Sequence, residues 1–246
     1  MTGAFLGTAA SIGTVALVLI VPLLRAAGPH RDHHERPLRQ LLARAWAPVL
    51  ALSLIAILQN IDVIVVKHVA EKHSAGAYAA AAVIAKGVIW IAVGLGLYLL
   101  PEAARRTRMG LDARPVLVRT LALVAMVSLP AVLLYLVGAE PLLTAIFGPS
   151  YASASGALPW LAVAMSLLAC AYLSVQYLLA LERANFLWVL ALAAIAEPLV
   201  LQAIGAHLTA VAMGLLVVQL VLAATILSLG FRSAAAPRAS GAPAAA

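Results

Sequence analysis

Charge is scarce in this sequence. Asp, Glu, Lys and Arg together make up 10% of its 246 residues, against a hydrophobic share of 65% and a mean hydropathy of +1.06. A soluble domain carries about 25% charged and 45–50% apolar residues. No water-soluble core could hide this much apolar surface, so a soluble globule is excluded. Cysteine is nearly absent. The single Cys170 rules out an internal disulfide, and its place in an apolar run makes it a small buried hydrophobe. Catalytic signatures are missing as well: there is no nucleophile elbow, phosphate-binding loop, HExxH or CxxC. Glu140 is the one acid between residues 139 and 157, which argues against a catalytic loop there. No catalytic residue is assigned, no cofactor is called for, and the chain is not read as an enzyme.

The net charge of +7 comes from 13 Arg and 3 Lys set against nine acids. The arginines sit between apolar runs rather than on one continuous basic face, which excludes nucleic acid as a partner. Membrane lipids are the partner that the composition demands.

What the sequence has in abundance is long apolar runs. A membrane-crossing helix needs about 20 mainly apolar residues. Seven runs qualify, at 4–24, 47–70, 76–100, 116–138, 158–181, 186–205 and 209–230. They are too long for transmembrane strands and lack period-two alternation, so the fold class is all-α transmembrane with about seven helices. No Lys or Arg precedes Arg25, so the first run reads as a span rather than a signal peptide.

The connections set a topology. Residues 25–46 carry Arg25, Arg31, Arg36, Arg39 and Arg44, and from Arg36 onward suit an amphipathic helix at the interface. Residues 101–115 carry Arg105, Arg106, Arg108 and Arg114. The turn at 182–185 carries Arg183, and the tail from Phe231 carries Arg232 and Arg238. These alternate with the arginine-free links 71–75, 139–157 and 206–208. The positive-inside rule places the arginine-bearing set in the cytoplasm, with the N-terminus outside and the C-terminus inside. An N-out start leads to the expectation of a further segment upstream. The Ala/Pro/Ser/Gly-rich tail is expected to be disordered.

Charges at membrane depth are costly and mark function or internal pairing. Asp62 and Lys86 each lie twelve residues from Ser74, and thus about 18 Å from a turn placed there. That puts them at similar depth on adjacent antiparallel helices. Either they pair and pin the two helices, or both face a water-filled cavity. In the cavity Lys86 would meet an anionic substrate group and Asp62 would bind a proton or cation. Gln59 and Asn60 lie within one turn of Asp62 and join Lys86 as candidate substrate contacts. Glu197 precedes Pro198, which frees a backbone carbonyl. It is either a proton-coupling site or a partner of Gln202 or Gln219. Lys67 is near a helix end and can snorkel to the headgroups. His30, His33 and His34 form an H-x-x-H-H cluster without the further ligands that a metal site needs, so no metal is assigned. Small residues at four-residue spacing, as at Ala77, Ala81 and Ala85, suit close helix packing.

The stretch from Gln59 to Pro101 resembles the opening of the second half of bacterial polysaccharide-biosynthesis membrane proteins. These are the oligosaccharide flippases of the MATE-like (multidrug/oligosaccharidyl-lipid/polysaccharide) exporter superfamily. The matching elements are D-x-x-x-V-K at Asp62 to Lys67, A-G-x-Y-x-A at Ala75 to Ala80, Lys86, and Leu100–Pro101 read as closing a hairpin. FGPSY at Phe147 to Tyr151, Leu158–Pro159 and YLLALERANF at Tyr177 to Phe186 look like later connections of the same family. The resemblance implies one six-helix lobe over 47–230, preceded by one extra helix and a basic cytoplasmic inter-lobe linker over 1–46, and followed by the tail 231–246. It also implies flipping of polyprenyl-diphosphate-linked oligosaccharide across the bacterial inner membrane by alternating access. Coupling would be to a proton or sodium gradient, with Asp62 and Glu197 as the ion-coupling carboxylates. Family members normally have two six-helix lobes. The resemblance therefore implies an N-terminal lobe upstream, or a second copy, to complete the cavity. A membrane scaffold within a polysaccharide assembly complex and half of a cation-coupled multidrug exporter are the alternatives.

Overall fold

The computed structural model describes residues 38–233, with side chains over 45–232. The described helices are α1 (Leu38–Val69), α2 (Lys72–Ala85), α3 (Gly87–Arg108), α4 (Arg114–Phe147), α5 (Leu158–Ala180), α6 (Leu187–Ile204) and α7 (Leu208–Ser233). A short 3-10 helix, Pro149–Ala154, joins α4 to α5. No strand occurs among the described residues. Six stretches are long and apolar enough to cross a membrane: Ala45–Val69, Lys72–Arg108 (α2 with α3), α4, α5, α6 and Leu208–Arg232. The chain is an all-α, multi-pass membrane protein. The run 4–24, the histidine cluster and the tail beyond Ser233 lie outside the described residues. From Ala45 onward the described helices form one compact unit.

Helix is the form these runs must take, because lipid offers no partner for an open backbone group. The hydroxyls within the runs are satisfied the same way. Thr107, Thr120, Ser166 and Ser174 each donate to the carbonyl four residues back, at 2.7–3.1 Å.

Helix α5 is the hub, packing against α2, α3, α4 and α7. Its surface is cut low by Ala162, Ala164, Ala169, Ala171 and Ser174, all buried, which lets neighbours approach. The closest approach comes from α3. A Cβ added at Gly96 would sit 2.8 Å from Cε1 of Tyr172 on α5, so only glycine fits there. Helix α4 is the opposite case. Met126, Leu129, Leu133 and Val137 make an exposed apolar stripe along it, at the three- and four-residue spacing of one helix face.

Several link boundaries differ from the sequence expectation, for one reason: helices continue beyond their most apolar windows. The link expected at 71–75 is at Ala70–Glu71, with α2 starting at Lys72. The link expected at 101–115 is helical through Arg108, so Pro101 lies inside α3 rather than closing a hairpin. The link expected at 139–157 is helical to Phe147. Its start is marked by a kink, where Gly138 is non-helical (φ −120°, ψ 21°). Pro141 contributes to that break by removing the donor that the Val137 carbonyl would otherwise receive.

Candidate functional site

The first polar cluster joins α1 to the α2–α3 boundary. The buried stripe of α1 runs Ala51, Ile55, Leu58, Asp62, Val65 and Val66. Asp62 falls on the core-facing side because it is three and four residues from its apolar neighbours. Its carboxylate is fully buried and has two partners. Lys86 Nζ stands 3.4 Å from Oδ1, and the Tyr78 hydroxyl donates to Oδ2 at 3.3 Å. Tyr78 comes from the Ala-rich face of α2, where Ala77, Ala81, Ala82 and Ala85 are also buried. Lys86 is where the helix changes step. Its own N–H reaches the Ala82 carbonyl at 2.9 Å, whereas Ile89 N–H bonds back three residues to the Lys86 carbonyl at 3.0 Å. The span Lys72–Arg108 thus changes hydrogen-bonding step at its one intramembrane lysine, whose backbone stays in the right-handed helical region (φ −68°, ψ −11°).

Of the two arrangements open for Asp62 and Lys86, the structure holds the ion pair. The geometry that produces it differs from the equal-depth expectation. Asp62 lies eight residues before Ala70, and Lys86 lies fifteen after Glu71. The pair forms across helices offset along their axes, with α2 seated on α5 and the 3-10 helix.

The second cluster joins α6 to α7. Glu197 and Gln219 are both fully buried, and Gln219 Nε2 donates to Glu197 Oε2 at 2.8 Å. Of the partners considered for Glu197, Gln219 is the one found; Gln202 is exposed. Glu197 Oε1 and Gln219 Oε1 are buried and have no hydrogen-bond partner among the described residues. Two acceptors facing this problem together call for a proton on Glu197 or for a cation. Asp62, Tyr78 and Lys86 thus form one buried polar contact set, and Glu197 with Gln219 forms another.

The remaining candidates fall elsewhere. Gln59 is half-buried. Asn60 is exposed and donates from Nδ2 to the Ala56 carbonyl at 2.9 Å, so the structure does not bring it to Lys86. Lys67 is exposed near the end of α1. Tyr78 escaped the sequence reading because a tyrosine in an alanine run looks like core. The one available signal was its spacing of eight residues from Lys86, which puts both on one side of the helix.

Arg105, Arg106, Arg108, Arg114, Arg183 and Arg232 lie at the other feature, one end of the bundle. Glu102 bonds Arg105 and Arg106 at 2.9 Å, and Arg106 also reaches the Asp112 carbonyl at 3.5 Å. Arg114 donates to the Phe231 carbonyl at 3.3 Å, tying the α3–α4 link to the end of α7. The α5–α6 turn, separated from the α3–α4 link by the two spans α4 and α5, lies at the same end. Trp46, near the start of the span Ala45–Val69, and Trp188, near the start of α6, are both exposed there, in the manner of interfacial aromatic anchors.

No protein-family model, curated protein or solved structure matches this chain. The buried polar contact sets and the arginine-rich end are therefore what a functional reading has to explain.

Proposed function

We propose that the chain is one lobe of an alternating-access transporter that moves polyprenyl-diphosphate-linked oligosaccharide across the bacterial inner membrane, with its arginine-rich end cytoplasmic. The observation that carries the reading is the buried polar groups of Asp62, Tyr78, Lys86, Glu197 and Gln219. Charges within a bilayer are retained where they contact a polar substrate or move with an ion. In this reading Lys86 is the group that meets the diphosphate when its pair with Asp62 opens. Protonation or cation binding at Glu197 alters the field in which that pair sits. A second lobe, upstream or from a second copy, completes the cavity. The arginine asymmetry supports the orientation through the positive-inside rule.

The test is flipping of a fluorescent polyprenyl-diphosphate oligosaccharide in proteoliposomes, with the chain alone and with a second lobe. The expected result is flipping that depends on an ion gradient and is lost in Lys86→Ala. Full activity in a folded Lys86→Ala protein would overturn the assignment of Lys86. No flipping in any combination would overturn the transporter reading. It would favour a membrane scaffold, which the closed Lys86–Asp62–Tyr78 contacts suit. Gradient-driven efflux of a lipophilic cation instead would indicate a drug-exporter half.

A further inference from the structure

At the arginine-rich end, a cavity of about 180 Å³ opens between the α5–α6 turn and the last turn of α7. Arg183, Asn185 and Arg232 line it together with Leu178, Phe186 and Leu229, and none of these described lining residues is acidic. The chemistry divides by depth. Leu178 and Phe186 are buried and form an apolar floor, while Arg183, Asn185 and Arg232 are exposed and carry the donors. The backbone fixes this arrangement. Glu182 takes a left-handed conformation (φ 58°), and the turn closes with Glu182 N–H on the Leu179 carbonyl at 2.9 Å and Arg183 N–H on the Leu178 carbonyl at 3.0 Å. This is the Schellman pattern, with glutamate where glycine is usual. The backbone next to Arg232 is tied to the α3–α4 link, where Arg114 donates to the Phe231 carbonyl.

We infer that this cavity is a binding site for a phosphate-class anion, two guanidinium groups and an amide gripping the phosphate oxygens. Arginine forks match phosphate bidentately, and basic pockets between helices at the membrane surface hold acidic headgroups. The apolar floor and the flanking exposed Trp188 fit a phosphodiester that carries acyl chains. The inference requires the multi-pass fold and is independent of the transport reading.

The test uses the full chain in nanodiscs of phosphatidylcholine, titrated with phosphatidylglycerol and read by native mass spectrometry and thermal melting. A parallel arm titrates inorganic phosphate against chloride at equal ionic strength. Phosphatidylglycerol is expected to bind and raise the melting temperature. Arg183→Gln/Arg232→Gln should weaken its apparent affinity by about tenfold or more, given the usual contribution of each basic residue near an acidic surface. Arg105→Gln/Arg108→Gln, at the same end but off the cavity, should leave the affinity within about twofold. Binding of inorganic phosphate with the same dependence on Arg183 and Arg232 would identify a free anion as the source and uphold the site. Equal losses from both double variants would reduce the effect to general surface charge and overturn it. No binding in either arm of the unsubstituted protein would also overturn it, whatever the folding yield of the variants.

Discussion

Helices α4 and α5 are both apolar enough to cross a membrane, with mean hydropathies of 2.4 and 1.9 over their best windows. Yet 11% of the α4 window is buried inside the protein, against 67% for α5. The less apolar helix is the interior one. Hydropathy thus reports that a helix belongs in lipid and says nothing of which neighbour it meets. What separates the two is side-chain size and polarity. Helix α5 buries Ala, Ser, Tyr and Gln interspersed among its Leu, Met and Val, whereas α4 has Met, Leu and Val facing outward with few small or polar residues between them. Without a hydrophobic drive between helices, close packing and polar contacts decide the interior. The same rule explains why Asp62, Glu197 and Gln219 are all inside.

The contrast is most sharply tested at the interior charge. Asp62→Ala leaves the Lys86 ammonium buried without its counter-charge. Breaking one side of a buried pair costs about 3–5 kcal/mol, so the variant should melt far lower in detergent or fail to accumulate. Asp62→Asn/Lys86→Met removes both charges and should recover most of that loss, since neutral replacement of a buried pair is often harmless. If the double variant is no better than Asp62→Ala, the pair is not the stabilising contact that the interior depends on.

Much of this was legible in the sequence and some was not, for physical reasons. The six described spans were readable because twenty apolar residues have few other destinations. The ends of the links were not, because helix continues through amphipathic residues such as Glu102–Arg108 by bonding their side chains to one another. Counting along the chain offered the Asp62–Lys86 pair as one of two arrangements, but from equal distances to Ser74, whereas the link lies at Ala70–Glu71 and the pair forms between unequal positions. Tyr78 and the Tyr172–Gln176 contact could not be read, since aromatic residues in apolar runs look alike until packing sorts them. Arg183 and Arg232 were read as markers of orientation, and their shared cavity depends on a three-dimensional closure between α5 and α7.

A steric change at the α3–α5 contact should rank next. In Gly96→Val, the new Cβ meets Tyr172 Cε1 at 2.8 Å and its hydroxyl oxygen at 3.0 Å. Overpacking of this kind costs about 1–3 kcal/mol, expected as a clear drop in melting temperature. Gly94→Val, two residues away where an added Cβ meets nothing within 4 Å, is the control that carries the same change in helix propensity. Equal drops in the two variants would mean that backbone propensity, not the approach of α3 to α5, sets the cost. A polar change at the same contact should be smaller. Tyr172→Phe removes the oxygen to which Gln176 Nε2 donates at 2.8 Å, leaving a buried amide unsatisfied at about 1 kcal/mol or somewhat more. Tyr172→Phe/Gln176→Leu should recover that loss by removing the orphaned donor.

The smallest effect belongs to α4. Val137 is 91% exposed, and truncating an exposed aliphatic side chain ordinarily changes stability by no more than about 0.5 kcal/mol. Val137→Ala should therefore melt with the unsubstituted protein when the lobe is alone in detergent. The informative comparison repeats the measurement with a second copy present, or with the second lobe that the proposed transporter would need. If α4 faces lipid throughout, the two proteins remain indistinguishable. If its apolar stripe of Met126, Leu129, Leu133 and Val137 is instead the surface that another lobe covers, Val137→Ala loses stability only when that lobe is present. Helix α4 would then be an interior helix of a larger assembly, and its outward-facing Leu and Met would be contacts of the same kind as those of α5.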